Sequence, residues 1–427
     1  NRHNNPVLGK KQKLTKFRKS ENGKQVIFLW DSLQSEYGGK LNISIKGVVT
    51  LDNAGLTFEG EIENRSPYVV ESVSYPCVGD VSIPLSEQSL MRLNLSYGGM
   101  DRVSLLPQFR NERGYWGVDY PIQMVPTPDS PFVLISSKKQ GLYAGFHDTT
   151  AKELVQFTFE LKPGYKNSLV SSAPCTHNIS GHLVHLEFSA IHFPFLNSNK
   201  RVKLPPVVLK PYIGTWHRGV DYYKEWRNTW FKPLRSPKWI KNIHSWQQIH
   251  INSLEDELRC SYKDLIKYAQ DCVKYGVSVI QLVGWTIGGQ DGRTPSNDID
   301  SRLGTWEELR NVIAEIQALG IKVILYTKYI FADYSTDWYR KELNQYVCKD
   351  VYGNDITYHG YPYQTPAQLS NINTRRLGIM CMNSEGWRKI VHCEFEKCIK
   401  LGAAGVLYDE CFHHSWGRYC FDPNHGH

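Results

Sequence analysis

Up to about Lys210, apolar and polar positions alternate with period two in many short segments. Leu41, Ile43 and Ile45 form one such run, Leu56, Phe58 and Ile62 another, and Val155, Phe157, Phe159 and Leu161 a third, with Val184, Leu186 and Phe188 after them. Successive side chains of a strand point to opposite faces, so this pattern predicts strands with one buried and one wet side. Turn residues separate the runs, as in Asp52-Asn53-Ala54-Gly55, Tyr97-Gly98-Gly99 and Lys162-Pro163-Gly164. So many half-buried antiparallel strands predict a large β-sandwich over residues 1–208.

The pattern then changes. In GVDYYKEWRNTW, from Gly219 to Trp230, Tyr222, Tyr223, Trp226 and Trp230 recur at helical spacing, which predicts a helix in a linking region, residues 209–240. Its aromatics and Trp216-His217 are expected to join two domains. From residue 241 to 427 strand and helix signals alternate. Ile243–Ile251, Val277–Val283, Ile321–Tyr326 and Ala404–Tyr408 read as strands, and Tyr262–Tyr275, Trp306–Leu319 and Glu385–Leu401 as helices. The runs VSVIQLV and KVILY are apolar throughout, and Gly276, Gly320 and Gly402 end the helices, as a parallel sheet buried on both faces requires. Two architectures accommodate four such units: a doubly wound sheet, or the first half of a TIM-type (β/α) barrel whose other strands would follow His427. The elaborate segment after the fourth strand favours the barrel.

Composition narrows the function. A chain of 427 residues with 41% hydrophobic and 22% charged residues is globular, with room for two or three domains. The net charge of +8 has one visible cluster, Lys10, Lys11, Lys13, Lys16, Arg18 and Lys19, which reads as a solvated edge. Without interleaved stacking aromatics it does not predict a nucleic-acid partner. No apolar run approaches the ~18 residues of a membrane span, and the segment from Asn1 is too polar for a secretion signal. Ten cysteines without a C-x-x-C pair are too sparse for a disulfide framework, and buried small hydrophobes are the default reading of Cys381, Cys411 and Cys420. The N-x-S matches at Asn42, Asn64, Asn94 and Asn178 matter only in a eukaryotic secretory pathway. The outlier is 12 Trp and 25 Tyr, rings that either fill large cores or stack on pyranoses.

In either parallel architecture, functional groups collect at the carboxyl ends of the strands. Those positions hold Trp285, Gln290, Asp291, Arg293 and Asp298 after the second strand, and Thr327, Lys328 and Tyr329 after the third. After the fourth come Asp409, Glu410, Cys411, His413 and His414. Asp409 directly follows AAGVLY, where a nucleophile or general base is held rigidly, although acids there also cap helices or pair with lysine. Glu410 should point to the opposite side and support the site or bind a sugar hydroxyl. Asp291, with Asp298 in the same loop, offers carboxylates to sugar hydroxyls, and Trp285 offers a stacking face or packs the rim. Lys328 is placed to keep Asp409 ionised or to bind a hydroxyl. In the tail DECFHHSWGRYCFDPNHGH, Asp409, His413, His414, Cys420, Asp422, His425 and His427 are metal-binding types, but their spacing matches no finger or H-E-x-x-H site. His413 and His414 are therefore read as hydroxyl ligands, and no metal or cofactor is assigned. Metal-dependent hydrolysis by residues 409–427 and non-catalytic carbohydrate binding stand as alternatives. No phosphate-binding glycine loop is present.

Taken in order, GTWHRGVDYYKEWRNTWF, the GW…GG…D…P stretch after Val283, MCMNSEGW and GVLYDE resemble bacterial glycoside hydrolases of the α-galactosidase-like (β/α)8-barrel superfamily. The nearest resemblance is to a glycosidase-like domain group in which a large β-sandwich precedes the barrel. The motifs begin at about Tyr212; the architecture covers the whole chain. The resemblance implies retaining hydrolysis of α-linked sugars in a polysaccharide, oligosaccharide or glycan, in the periplasm or outside the cell, with Asp409 as fourth-strand nucleophile. It places the general acid on a sixth strand that these residues do not contain. Relatives with α-galactosidase chemistry carry Lys two residues before the nucleophile, where this chain has Leu407, so galactose specificity is not implied. Oligomeric state is not implied either.

Overall fold

The computed structural model of the chain describes all residues except 1–3, 53–54, 82–91, 95–101, 105–108, 111–121, 126–129, 137–138, 151, 163–171, 174–184, 361–364, 371, 373–374 and 411–418. The predicted turns at Asn53-Ala54, Tyr97-Gly98-Gly99 and Pro163-Gly164 lie outside the described residues, as do Val184, Asn178, Cys411, His413 and His414. The chain forms two compact units, Asn1–Pro233 and Leu234–His427.

The N-terminal unit is built from antiparallel sheets. In a nine-stranded sheet the central order is Ile43–Leu51, Leu56–Asn64, Lys200–Ile213, Gln140–Phe146 and Phe132–Ser136. A four-stranded sheet pairs Ile122–Val125, Val155–Lys162, His185–His192 and Val73–Val81. The two meet through side chains that alternation turns inward: Phe58 on Tyr75 with ring centroids 6.3 Å apart, and Phe146 on His192 at 5.1 Å. Helix α1 (Trp216–Trp230) lies on the larger sheet, with Tyr223 stacked on Phe132 at 4.7 Å and Trp226 on His147 at 4.4 Å. Gly219 permits this approach, since a Cβ there would stand 2.7 Å from the Tyr212 ring. The aromatic face read as a link between domains thus packs on strands of its own unit.

The C-terminal unit contains a four-stranded parallel sheet, β1 (Trp246–His250), β2 (Val279–Val283), β3 (Lys322–Thr327) and β7 (Gly405–Tyr408), in that order. Helices α2 (Leu265–Tyr275), α3 (Trp306–Ala318) and α4 (Glu385–Lys400) alternate with the strands. The predicted stops are realised: Gly276, Gly320 and Gly402 take φ of +73°, +88° and +82°, the left-handed conformation that ends helices. Thr305 and Glu308 form a reciprocal capping box that starts α3. Strands β2 and β3 are buried along nearly their whole length, and Leu282, Val323 and Leu325 pack with Leu309 and Ile313 of α3. Among the described residues this sheet is open, with β1 and β7 at its edges, and no closed barrel forms. An unpredicted antiparallel sheet is inserted between β3 and α4: β4 (Phe331–Asp333), β5 (Thr357–His359) and β6 (Arg375–Ile379), with β6 in the middle. Among the described residues no helix is long and apolar enough to cross a membrane.

Candidate active site

Strand β3 ends in Tyr326-Thr327 and Lys328 follows directly, so the two-residue period sends Tyr326 and Lys328 to one side. Strand β7 lies beside it, and its ladder continues one residue past Tyr408, because the Asp409 N–H donates to the Thr327 carbonyl at 2.9 Å. That bond fixes Asp409 at the strand end, half-buried rather than sealed in packing. The Tyr326 hydroxyl oxygen stands 2.7 Å from Asp409 Oδ2 and 2.6 Å from Asp291 Oδ1. The Lys328 Nζ lies 3.1 Å from Asp291 Oδ2 and 2.5 Å from Glu410 Oε2. Three carboxyl groups, one ammonium and one phenol thus form a continuous cluster.

The loop that delivers Asp291 can be built only with glycine. A Cβ on Gly284 would stand 2.0 Å from the Asn252 carbonyl oxygen, and one on Gly289 2.3 Å from that of Ser253. The GW…GG motif is therefore a backbone requirement. Asp291 and Glu410 themselves take φ of +60° and +54°. Such left-handed conformations of residues with a Cβ cost of order 1–3 kcal/mol each and persist where the surroundings over-determine them. The turn at Glu410 also overrules strand alternation. Asp409 and Glu410 do not diverge to opposite sides of the cluster, as extended backbone would require; one reaches Tyr326 and the other Lys328.

The electrostatics give the cluster a direction. Burial drives the Asp291 carboxyl above its ordinary pKa, against the opposing pull of the Lys328 ammonium and the Tyr326 hydroxyl. Burial and the two neighbouring carboxyls also raise the Tyr326 phenol, which stays protonated. One hydroxyl carries one proton and cannot donate fully to two carboxylates. The single phenol proton is therefore shared, and Tyr326 links Asp291 and Asp409 by donating to one carboxyl at a time.

The other predicted residues part from this group. Trp285 is 1% exposed, its Nε1 donates to the Tyr326 carbonyl at 2.9 Å, and its own carbonyl accepts the Tyr262 hydroxyl at 2.6 Å. Its ring is core, so it offers no stacking face to a sugar. Asp298 is exposed, accepting from Lys397 at 2.7 Å and Ser296 at 2.9 Å. Burial resists its ionisation, yet these two partners outweigh it and hold the carboxyl below its ordinary value. Tyr329 is buried against Asn297, whose side-chain amide donates to its hydroxyl at 2.8 Å. Lys328 forms ion pairs with Asp291 and Glu410; the expected role of a direct counterion to Asp409 passes to the Tyr326 hydroxyl as hydrogen-bond donor. Sequence reasoning missed Tyr326, whose only signal was a phenol at the carboxyl end of an apolar run, two residues before Lys328.

The fold is similar to that of the ligand-free alpha-N-acetylgalactosaminidase NagBb from Bifidobacterium bifidum, with a TM-score of 0.62 and 12% identity over 96% of this chain and 64% of that one. The GalNAc complex of the same enzyme aligns with a TM-score of 0.63 and 11% identity, over 96% of this chain and 63% of that one. The GH36 alpha-galactosidase AgaA from Geobacillus stearothermophilus aligns with a TM-score of 0.49 and 13% identity, over 94% of this chain and 51% of that one. The chain therefore spans less than two thirds of the length of these enzymes, and what it shares with NagBb is a glycoside hydrolase-like fold. No curated protein matches it in sequence. The profile of the domain of unknown function DUF6259 matches residues 205–427, more than half of the chain, which accordingly belongs to the DUF6259 family.

Proposed function

We propose that the protein is a glycoside hydrolase that cleaves α-linked sugars with retention, using Asp409 as the nucleophile. The observation that carries this reading is the Asp409–Tyr326–Asp291 chain at the carboxyl ends of adjacent parallel strands. The carboxylate is fixed by its ladder bond and half-exposed, and its Oδ2 accepts from the Tyr326 hydroxyl, which also reaches Asp291. A nucleophile must be rigidly aimed, and the ladder bond and the phenol together supply that condition. Asp409 would attack the anomeric carbon and form a glycosyl ester while an acid protonates the departing oxygen. Water then cleaves the ester, and two inversions give net retention. The acid is unassigned. Glu410 is a poor choice because the Lys328 ammonium stands 2.5 Å from its Oε2. Glu410, the least buried of the three, instead suits a sugar hydroxyl, with Lys328 and Asp291 holding it in place.

The strand order supports a barrel as the parent architecture. A doubly wound sheet reverses its order at a switch point, whereas here each parallel strand adds beside the previous one, as in the opening units of a (β/α)8 barrel. Because NagBb is named for alpha-N-acetylgalactosaminide hydrolysis, an aryl α-N-acetylgalactosaminide is the first substrate to test, followed by other aryl α-glycosides. The Asp409→Asn variant should lose 10³-fold or more of kcat while still binding sugar, on the order of what removal of a nucleophile costs. A 2-fluoro glycosyl fluoride should label the peptide that contains Asp409. Undiminished turnover by Asp409→Asn, or labelling of another carboxylate, would overturn the assignment. Sugar binding without turnover on any glycoside would favour a non-catalytic binding protein.

A further inference from the structure

Away from Asp409, two segments bring metal-binding side chains to one point. Cys381 follows β6, and its N–H donates to the Tyr346 carbonyl at 2.9 Å. Cys420 precedes Phe421, whose N–H donates to the Lys349 carbonyl at 2.9 Å, so the last residues run along the 345–349 strip. His425 closes the short turn Pro423–His425, which Asp422 caps, and His427 follows. The sulfurs of Cys381 and Cys420 and one ring nitrogen from each histidine all lie within 4.8 Å of one another. Cys381 Sγ is 3.1 Å from His427 Nε2, and Cys420 Sγ is 3.2 Å from His425 Nδ1.

We propose that Cys381, Cys420, His425 and His427 form a closed, tetrahedral Cys2His2 site for a structural zinc ion. With Zn–S near 2.3 Å and Zn–N near 2.0–2.1 Å, a tetrahedron has sulfur–nitrogen edges of about 3.5 Å, a few tenths of an ångström from the separations seen. The tautomer is already correct. His425 Nε2 lies 2.9 Å from the Gln345 carbonyl, which can only accept, so Nε2 carries the proton and Nδ1 presents its lone pair towards Cys420. A ligating histidine whose other nitrogen donates to a carbonyl is the usual support of a metal site. Two thiolates and two neutral imidazoles balance a divalent charge, which suits a site where Cys381 and His425 are buried. The Cys348 thiol lies within hydrogen-bond reach of both sulfurs and can donate to either.

Four protein ligands leave no open position for substrate, so this metal is a staple and not the catalyst of a metal-dependent hydrolase. The need for one is physical. The β4–β6–β5 sheet has strands of three to five residues, and the small core beside it holds Phe331, Cys348, Leu377, Ile379 and Cys381. A zinc ion would tie residues 420–427 onto that sheet, where little apolar area is available to do so.

The test is metal analysis of the intact protein, loaded with zinc under reducing conditions and dialysed against metal-free buffer. One zinc per chain is expected. Cys420→Ser and His425→Ala should each lose more than about tenfold in zinc affinity, whereas Cys393→Ser, an exposed cysteine of α4, should keep it. Because the first two variants can fail to fold, the wild-type protein is also loaded with cobalt, which should show thiolate charge-transfer bands and tetrahedral d–d absorption. Wild-type protein without stoichiometric zinc would overturn the proposal. So would octahedral cobalt lacking thiolate bands, or peptide mapping that finds Cys381 in a disulfide with Cys348 or Cys420.

Discussion

Replacing Tyr326 with Phe removes one oxygen and keeps the ring, so it isolates the contact on which the reading of Asp409 depends. The lost hydroxyl stands 2.6 Å from Asp291 and 2.7 Å from Asp409, at a residue 9% exposed. Water cannot easily replace it. A hydrogen bond to a charged partner contributes about 1.5–3 kcal/mol, and because one proton serves two carboxyls, roughly one such bond is lost. Urea unfolding should therefore show a fall of about 1.5–3 kcal/mol with unchanged m. If the same bond aims the nucleophile, kcat/KM should fall about 10- to 150-fold, the same energy expressed as a rate. Tyr329→Phe is the control. That phenol is also buried and hydrogen-bonded, but to Asn297, so its loss should lower stability and leave kcat/KM within about twofold. A double-mutant cycle with Asp291→Asn should return a coupling of at least about 1 kcal/mol. Wild-type kcat/KM in Tyr326→Phe, together with additivity in that cycle, would refute the coupling of Asp291 to Asp409 through the phenol.

Two further outcomes follow from buried charge. Lys328→Met strands Asp291 and Glu410 without the ammonium now 3.1 and 2.5 Å away, and should cost about 3–5 kcal/mol in urea unfolding; a loss below about 1 kcal/mol would mean the pair is solvated. His192 is pushed down to about 4 by burial, while its Nε2 lies 2.7 Å from the Tyr75 carbonyl. The unfolded histidine takes up a proton below about 6.5 and the folded one does not until about 4. Its stabilising contribution is therefore full above 6.5 and falls by up to about 3 kcal/mol between those values. His192→Phe should flatten that acid slope of ΔG, and an unaltered slope would show that another group carries it.

The parallel strands and their helices were legible because local chemistry agrees with the fold at every level. VSVIQLV and KVILY are apolar on both faces, and a glycine able to take positive φ ends each preceding helix. The inserted β4–β6–β5 sheet was not. Phe331–Asp333 and Thr357–His359 are too short to carry a period, and their pairing with β6 spans residues far apart in sequence. Position at a strand end identified Asp409, Asp291, Glu410 and Lys328, since it follows from topology alone. What each side chain touches does not. Trp285 carries the polar handle of a sugar-stacking ring, yet both of its backbone-directed bonds are internal and its ring is core.

The same distinction explains why the two clusters differ in visibility. Asp409 announces itself because one strand determines where it emerges. Tyr326 acquires its role only when the glycine-built loop after β2 carries Asp291 over it, and Cys381 becomes a ligand only when the 420–427 segment returns along residues 345–349. A zinc finger is readable in sequence because its ligands come in close pairs on local turns. Here Cys420, His425 and His427 are near in sequence, but completion of the set requires Cys381, delivered by a strand of an inserted sheet. Residue types nominate such groups. Their function depends on segments that close around them, so the substitutions that separate chemistry from packing are those, like Tyr326→Phe, that remove one atom at the point of convergence and leave both segments in place.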